Sequence, residues 1–154
     1  MLAPAFEFVG LLLAALLVGA MFAVCLLFNP AGLDASTYVT HQQWGIHALH
    51  PKIPLLGALT VIAILMAAFL SRDDHSRVAM LLLAAGFFVV AGLITRFSNL
   101  PMNAVVATWS AQAPPADWAQ MRDAWWRWHV LRFTAGGAGL CLLILVALRQ
   151  RTSF

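Results

Sequence analysis

Residues 11–18 read Leu11-Leu12-Leu13-Ala14-Ala15-Leu16-Leu17-Val18, without one polar side chain. They lie inside a longer apolar run over 5–28. A strand in the wall of a membrane barrel alternates lipid-facing and lumen-facing residues, and this stretch does not alternate. In hydrocarbon every backbone N–H and C=O must be satisfied internally, which leaves helices or closed barrels. The run is therefore a helix, and three more of the same kind follow at 53–70, 78–95 and 133–148. A helix needs roughly 17–25 apolar residues to cross a bilayer. The first run meets that comfortably and the next two at the short end. The fourth is brief but continues a helical pattern that begins well before it. Charged residues make up 10% of the chain, against roughly 25% in soluble domains, so water is not its main solvent. The expected fold is all-α: a single-domain transmembrane four-helix bundle over residues 1–154, its last helix long and extending beyond the membrane.

The polar side chains are concentrated in two excursions, 29–52 and 96–132. All six tryptophans, the tyrosine and four of the five histidines fall there. Two spans, 53–70 and 78–95, lie between them, so both excursions emerge on the same side. Asn29-Pro30-Ala31-Gly32 breaks the first helix. Ser36 to Trp44 then has the spacing of a short amphipathic helix, with His47 and His50 behind it, and Pro51 opens the second span. The third span runs out at Arg96-Phe97-Ser98-Asn99-Leu100-Pro101-Met102-Asn103. Pro101 has no N–H, so it leaves the Phe97 carbonyl without its helical partner; the Asn99 and Asn103 amides are the expected replacement. After Ala113-Pro114-Pro115 a last helix begins near Asp117 and runs to about Arg149, roughly 50 Å at 1.5 Å per residue. Trp118, Arg122, Trp125, His129, Arg132, Gly136 and Gly139 recur along it at steps of four and three.

Other features have structural readings. Cys25 and Cys141 lie in different helices and read as packing residues rather than a disulfide. Glu7 reads as an interfacial or first-turn acid, with a buried acid as the second reading. The first helix lacks a cleavage site and is read as retained. The glycines at 10, 19, 136 and 139 invite close helix contact, within one chain or in a homo-oligomer. Arg72, Arg77, Arg149 and Arg151 mark one side; Lys52, Arg96, Arg122, Arg127 and Arg132 mark the other. The positive-inside rule weights short loops and tails most heavily, which places both termini in the cytoplasm, with the chain in an inner, cytoplasmic membrane. No basic run tracks a phosphate backbone, so nucleic acid is excluded as a partner; membrane lipid and a lipophilic small molecule are the expected ones.

Tryptophan and arginine favour membrane interfaces for their own sake. A simple belt marks both faces, however, and here only one is marked, which points to a pocket. His129, between Trp125 and Arg132 on the stripe, is the candidate base; His41, backed by Gln42, is the candidate to face it. His41 and His129 are also the residues a copper, iron or zinc ion would use, and a histidine pair is a ligand set for haem. A site without cofactor is the simpler expectation, with an imidazole base, amide or guanidinium donors for an oxyanion, and aromatic walls.

The segment 96–103, with Asn99-Leu100-Pro101-Met102-Asn103, resembles the N-x-P-x-N element of the anthrone oxygenase-like family. Trp109, Trp118, Trp125, His129 and Arg132 follow in the order of that family's tryptophan-bearing helix and its W-x-x-x-H-x-x-R signature. Asn29-Pro30 and His41-Gln42 fit its habit of ending the first helix at a proline. The resemblance implies a small four-helix membrane protein, some relatives of which oxidise anthrones to anthraquinones with O2. Carried over by position, it nominates Asn99, Asn103, His129 and Arg132 as catalytic, with Trp109, Trp118, Trp125, Arg122, His41 and Gln42 around the substrate. Two other uses of the same polar end stand beside it: a non-enzymatic binding or assembly module, and a haem or metal electron carrier.

Overall fold

A computed structural model describes residues 2–151, with side chains for residues 2–149. The part of the Arg151 side chain in the charge balance of its end lies outside the described side chains. The chain is all-helical, and four of its helices are long and apolar enough to cross a membrane. Helix α1 spans Leu2–Leu27 and is followed by a short 3-10 turn, Pro30–Gly32. Helices α2 and α3 occupy Ala35–Leu49 and Lys52–Leu70. Helix α4, His75–Ile94, passes through a π-helical segment, Thr95–Asn99, into α5, Leu100–Val106. Helix α6, Trp118–Arg151, closes the chain.

In the bundle α1 packs on α3 and α6, and α4 packs on α3 and α6. The core is built from Ala14, Leu17, Val18, Met21, Ile64, Ala67, Ala68, Leu81, Ala84, Ala85, Phe88, Leu143 and Val146. Large apolar side chains such as Leu12, Leu16, Leu59, Ile62, Phe69, Leu83 and Leu145 point outward. In water that surface would be untenable; facing lipid tails it is the expected one. The chain is an integral membrane protein.

Lipid supplies no hydrophobic drive for helix association, so close packing of small residues matters more. A Cβ at Gly139 would lie 2.8 Å from Phe88 Cε2 and 3.2 Å from the Ala84 carbonyl oxygen. One at Gly136 would meet Met21 Cε at 2.8 Å, and one at Gly10 would meet Ile64 Cγ1 at 3.3 Å. Gly19 has nothing within 4 Å. Three of the four expected small-residue positions thus serve contacts inside the bundle. Both cysteines are free. Glu7 takes the second of its two readings: it lies largely buried in an ion pair with Arg77, tying α1 to α4.

At the polar end, Asp34 caps α2 by accepting from the Thr37 N–H at 3.0 Å. That hydrogen bond holds the Asp34 carboxyl below the usual carboxylate range. Pro101 has the effect its missing donor demands, but not through the asparagines. The helix widens just before it, and the Leu100 N–H bonds to the Thr95 carbonyl. Neither Asn99 nor Asn103 donates to Phe97. Both are released to reach α6 and α2.

Candidate functional site

Trp125 is the centre of the polar end. Its indole Nε1–H donates to Asn103 Oδ1 at 2.8 Å, and its carbonyl accepts from Asn99 Nδ2 at 3.3 Å. Gln42 Nε2, from α2, donates to the same Asn103 oxygen at 3.2 Å. With Oδ1 doubly engaged, Asn103 has its Nδ2 amide left to give. Asn99 is fully buried, and its Oδ1 has no protein partner among the described residues.

One turn further along α6, the His129 ring stacks on Trp125 at 5.3 Å with the two planes nearly parallel, and on Trp126 at 5.6 Å. It is completely buried. Its Nε2 lies 3.1 Å from the Met21 carbonyl oxygen, and Cys25 Sγ sits 3.4 Å away. A carbonyl can only accept, so Nε2 carries the proton. Nδ1 is then the acceptor, and Arg132 donates to it from Nε at 3.1 Å and Nη2 at 2.8 Å. The Arg132 guanidinium also lies 5.9 Å from the Trp125 ring centre. Arg132 makes no ion pair among the described residues. An ionisable side chain beside an apolar span is costly unless partnered or used, which makes Arg132 a site candidate.

This network backs a cavity of about 290 Å³ between the end of α1, one face of α2, the start of α3, the π-helical turn and α6. Met21, Val24, Phe28, Trp44, Ile53 and Leu100 give it an apolar wall. His41, Gln42, Thr95, Asn103 and Arg132 supply most of its polar atoms, and Trp125 lines it too. The volume lies at the small end of ligand pockets, which run from roughly 300 Å³ upward. His41 stacks on Phe28 at 4.5 Å, and Trp44 lies parallel to the same phenyl ring at 5.9 Å. The His41 ring nitrogens have no hydrogen-bond partner among the described residues. Gln43 fastens this face of α2 to the rest, donating to the Val106 and Trp109 carbonyls at 3.0 and 2.9 Å.

The residues singled out in the sequence divide into three groups. His41, Gln42, Asn103, Trp125 and Arg132 line the cavity; Asn99 and His129 stand behind it, buried and hydrogen-bonded to its lining. Trp109, Trp118 and Arg122 do not line it. Trp109 offers its carbonyl to Gln43, while Trp118 packs on Tyr38 with Arg122 above it and Arg122 paired to Asp123. Burial pushes the Tyr38 phenol up to about 12, so it stays neutral there. Phe28, Trp44, Gly45 and Gln43 were not picked out beforehand. His41, Trp44, Gly45 and Ala48 are spaced three, four and seven apart, and that period marks one helix face. A metal or haem iron bound to His129 would have to displace Met21 or Arg132 from its ring. The described residues hold no group of three or more His, Cys, Asp or Glu side chains that could bind a metal.

The family model for anthrone oxygenase matches residues 42–142. That range contains Gln42, Asn99, Asn103, Trp125, His129 and Arg132, and it covers about two thirds of the chain. No curated protein and no solved structure matches the chain. By the extent of the family match, and with its matched residues assembled around one cavity, this chain belongs to the anthrone oxygenase family.

Proposed function

We propose that this chain is a membrane-embedded oxygenase acting on a flat, lipophilic aromatic or quinone-like substrate with an acidic ring methylene, and that it uses O2 without a resident cofactor. The observation that carries this is the cavity itself: an aromatic and aliphatic hollow, open to imidazole at His41 and to an unpaired guanidinium at Arg132. His41 takes the methylene proton, and the electron pair moves into the ring carbonyl as an enolate. Arg132 and the Asn103 amide stabilise that oxygen. The enolate carbon is oxidised by O2, forming a C–O bond to a hydroperoxide whose outer oxygen takes the proton back from the His41 imidazolium. Removal of the remaining C–H proton breaks the O–O bond, giving the new carbonyl and one water. His129 does not touch the substrate in this scheme. Both of its nitrogens are engaged, and its task is to hold Arg132.

Arg72 in the short turn between α3 and α4, with Arg77 in the first turn of α4, supports an orientation with both termini in the cytoplasm and the cavity at the opposite face. The substrate then enters from the bilayer, which concentrates flat apolar molecules.

Oxygen uptake by the purified protein with a simple anthrone tests the reading. The expected result is uptake above the spontaneous rate that falls about 100-fold in His41→Gln. Uptake no faster than the spontaneous rate, from folded protein, would favour a binding or assembly module instead. A Soret band in the purified protein would favour an electron carrier.

A further inference from the structure

The cavity carries an uncompensated positive charge. Arg132 is the one permanently charged side chain in its lining. None of the chain's acids, Glu7, Asp34, Asp73, Asp74, Asp117 and Asp123, lines it. Four of them are engaged elsewhere: Glu7 with Arg77, Asp34 and Asp74 as helix caps, and Asp123 with Arg122. The other groups facing the cavity or Arg132 are His41 and His50 at α2, the Cys25 thiol of α1 and the His129 ring of α6. None of the three histidines is an anion at any pH. His129 takes up two of the guanidinium N–H groups on a single lone pair, and Nη1 has no hydrogen-bond partner among the described residues. A planar fork with free donors, held rigidly in an apolar surround, is suited to an oxyanion.

We propose that this cavity binds a lipophilic aryl oxyanion in its ground state: an ionised ring hydroxyl on a flat apolar body, the oxygen held by Arg132 Nη1 and the Asn103 amide, the ring against Phe28 and Trp44. The inference rests on the cavity of the oxygenase reading but not on turnover. It deepens that reading by giving the substrate a ring hydroxyl, ionised before any reaction. The same feature makes hydroxylated products and unreactive aryl hydroxides bind as competitors.

The test uses 4-nitro-1-naphthol, whose colour reports its ionisation, and its methyl ether as the neutral isostere. Both are titrated into the full chain in zwitterionic nanodiscs, with empty nanodiscs as blank. The bound naphthol is expected to ionise about one to three pH units lower than in the blank, and to bind at least ten times more tightly than the ether. Arg132→Gln should erase that preference while still binding the ether, and Arg132→Lys should keep part of it. Gly45→Phe, which fills the cavity from a position with nothing within 4 Å of a new Cβ, should abolish binding of both. Equal affinity of wild type for the two probes overturns the proposal, with or without a folded Arg132 variant. So does naphthol binding unchanged in Gly45→Phe, or displacement by decanoate as efficient as by a second naphthol. Oxygen uptake from an anthrone is measured separately. Its absence beside a clear charge preference sinks the oxygenase and leaves the anion site standing.

Discussion

His129 Nδ1 accepts two N–H groups of Arg132, at 3.1 and 2.8 Å, while the opposite side of the same ring donates to the Met21 carbonyl. A base must offer a free lone pair to the proton it removes, and this ring has none to offer. In the proposed scheme His129 is therefore a positioning residue and His41 the base. The two assignments separate in the oxygen uptake of the variants. His129→Gln should lower kcat about tenfold through misplaced Arg132, whereas His41→Gln should lower it about 100-fold. A larger loss in His129→Gln than in His41→Gln would return the role of base to His129.

Asn103 and Trp125 are coupled through one oxygen. Asn103→Leu removes the acceptor for the Trp125 indole and for Gln42 together, leaving a buried N–H unsatisfied at a cost of about 2 kcal/mol. Trp125→Phe removes the donor as well, so the double variant should be more stable than the sum of the singles by about 1 kcal/mol. Unfolding of the four proteins in a graded detergent mixture measures that cycle. Strict additivity would mean that the hydrogen bond adds nothing to stability.

Much of this end was legible in the sequence because helical period and hydropathy are local properties. The unbroken run at 11–18 fixed the first span, and the steps of four and three from Trp118 to Gly139 put Trp125, His129 and Arg132 on one face. What stayed hidden was the other half of each interaction. Met21 meets His129 across 108 positions and Gln42 meets Asn103 across 61. No local pattern encodes such a pairing. The widened turn at Thr95–Asn99 is a similar case: Pro101 announced a lost hydrogen bond, and the helix answers it by a register shift rather than by borrowing an amide. The burial of Glu7 against Arg77 follows the same logic, since its partner lies 70 residues away.

The glycines of α6 should respond to alanine in a defined order. At Gly139 the new methyl would press on the Phe88 ring and the Ala84 carbonyl, neither of which can yield without moving α4, so Gly139→Ala should cost about 2 kcal/mol. At Gly136 the obstacle is the flexible end of Met21, and the cost should be smaller. At Gly137 nothing lies within 4 Å, and alanine should stabilise by about 0.5 kcal/mol through the helix backbone alone. Thermal unfolding of the three variants checks the order. Equal effects would mean that α4 and α6 do not pack at Phe88.

The cap of α2 sets an acid limit on the site. The folded Asp34 carboxyl titrates below its ordinary 3.8 because the Thr37 backbone N–H and hydroxyl both donate to it. A depressed folded value means that the cap's contribution is fully present above the unfolded value and is lost as pH falls through the folded one. Helix α2 carries His41, Gln42, Trp44 and Gly45 into the cavity, so loosening its first turn should weaken ligand binding before the membrane helices unfold. Between pH 7 and pH 2, amide exchange at 35–40, taken relative to the intrinsic rate at each pH, should rise while the core of α1 around Ala14 stays protected. Asp34→Asn keeps a capping oxygen without the titration, and its exchange at 35–40 should be nearly flat over the same range. Wild-type exchange equally flat across that range would show that Asp34 does not hold α2 in place.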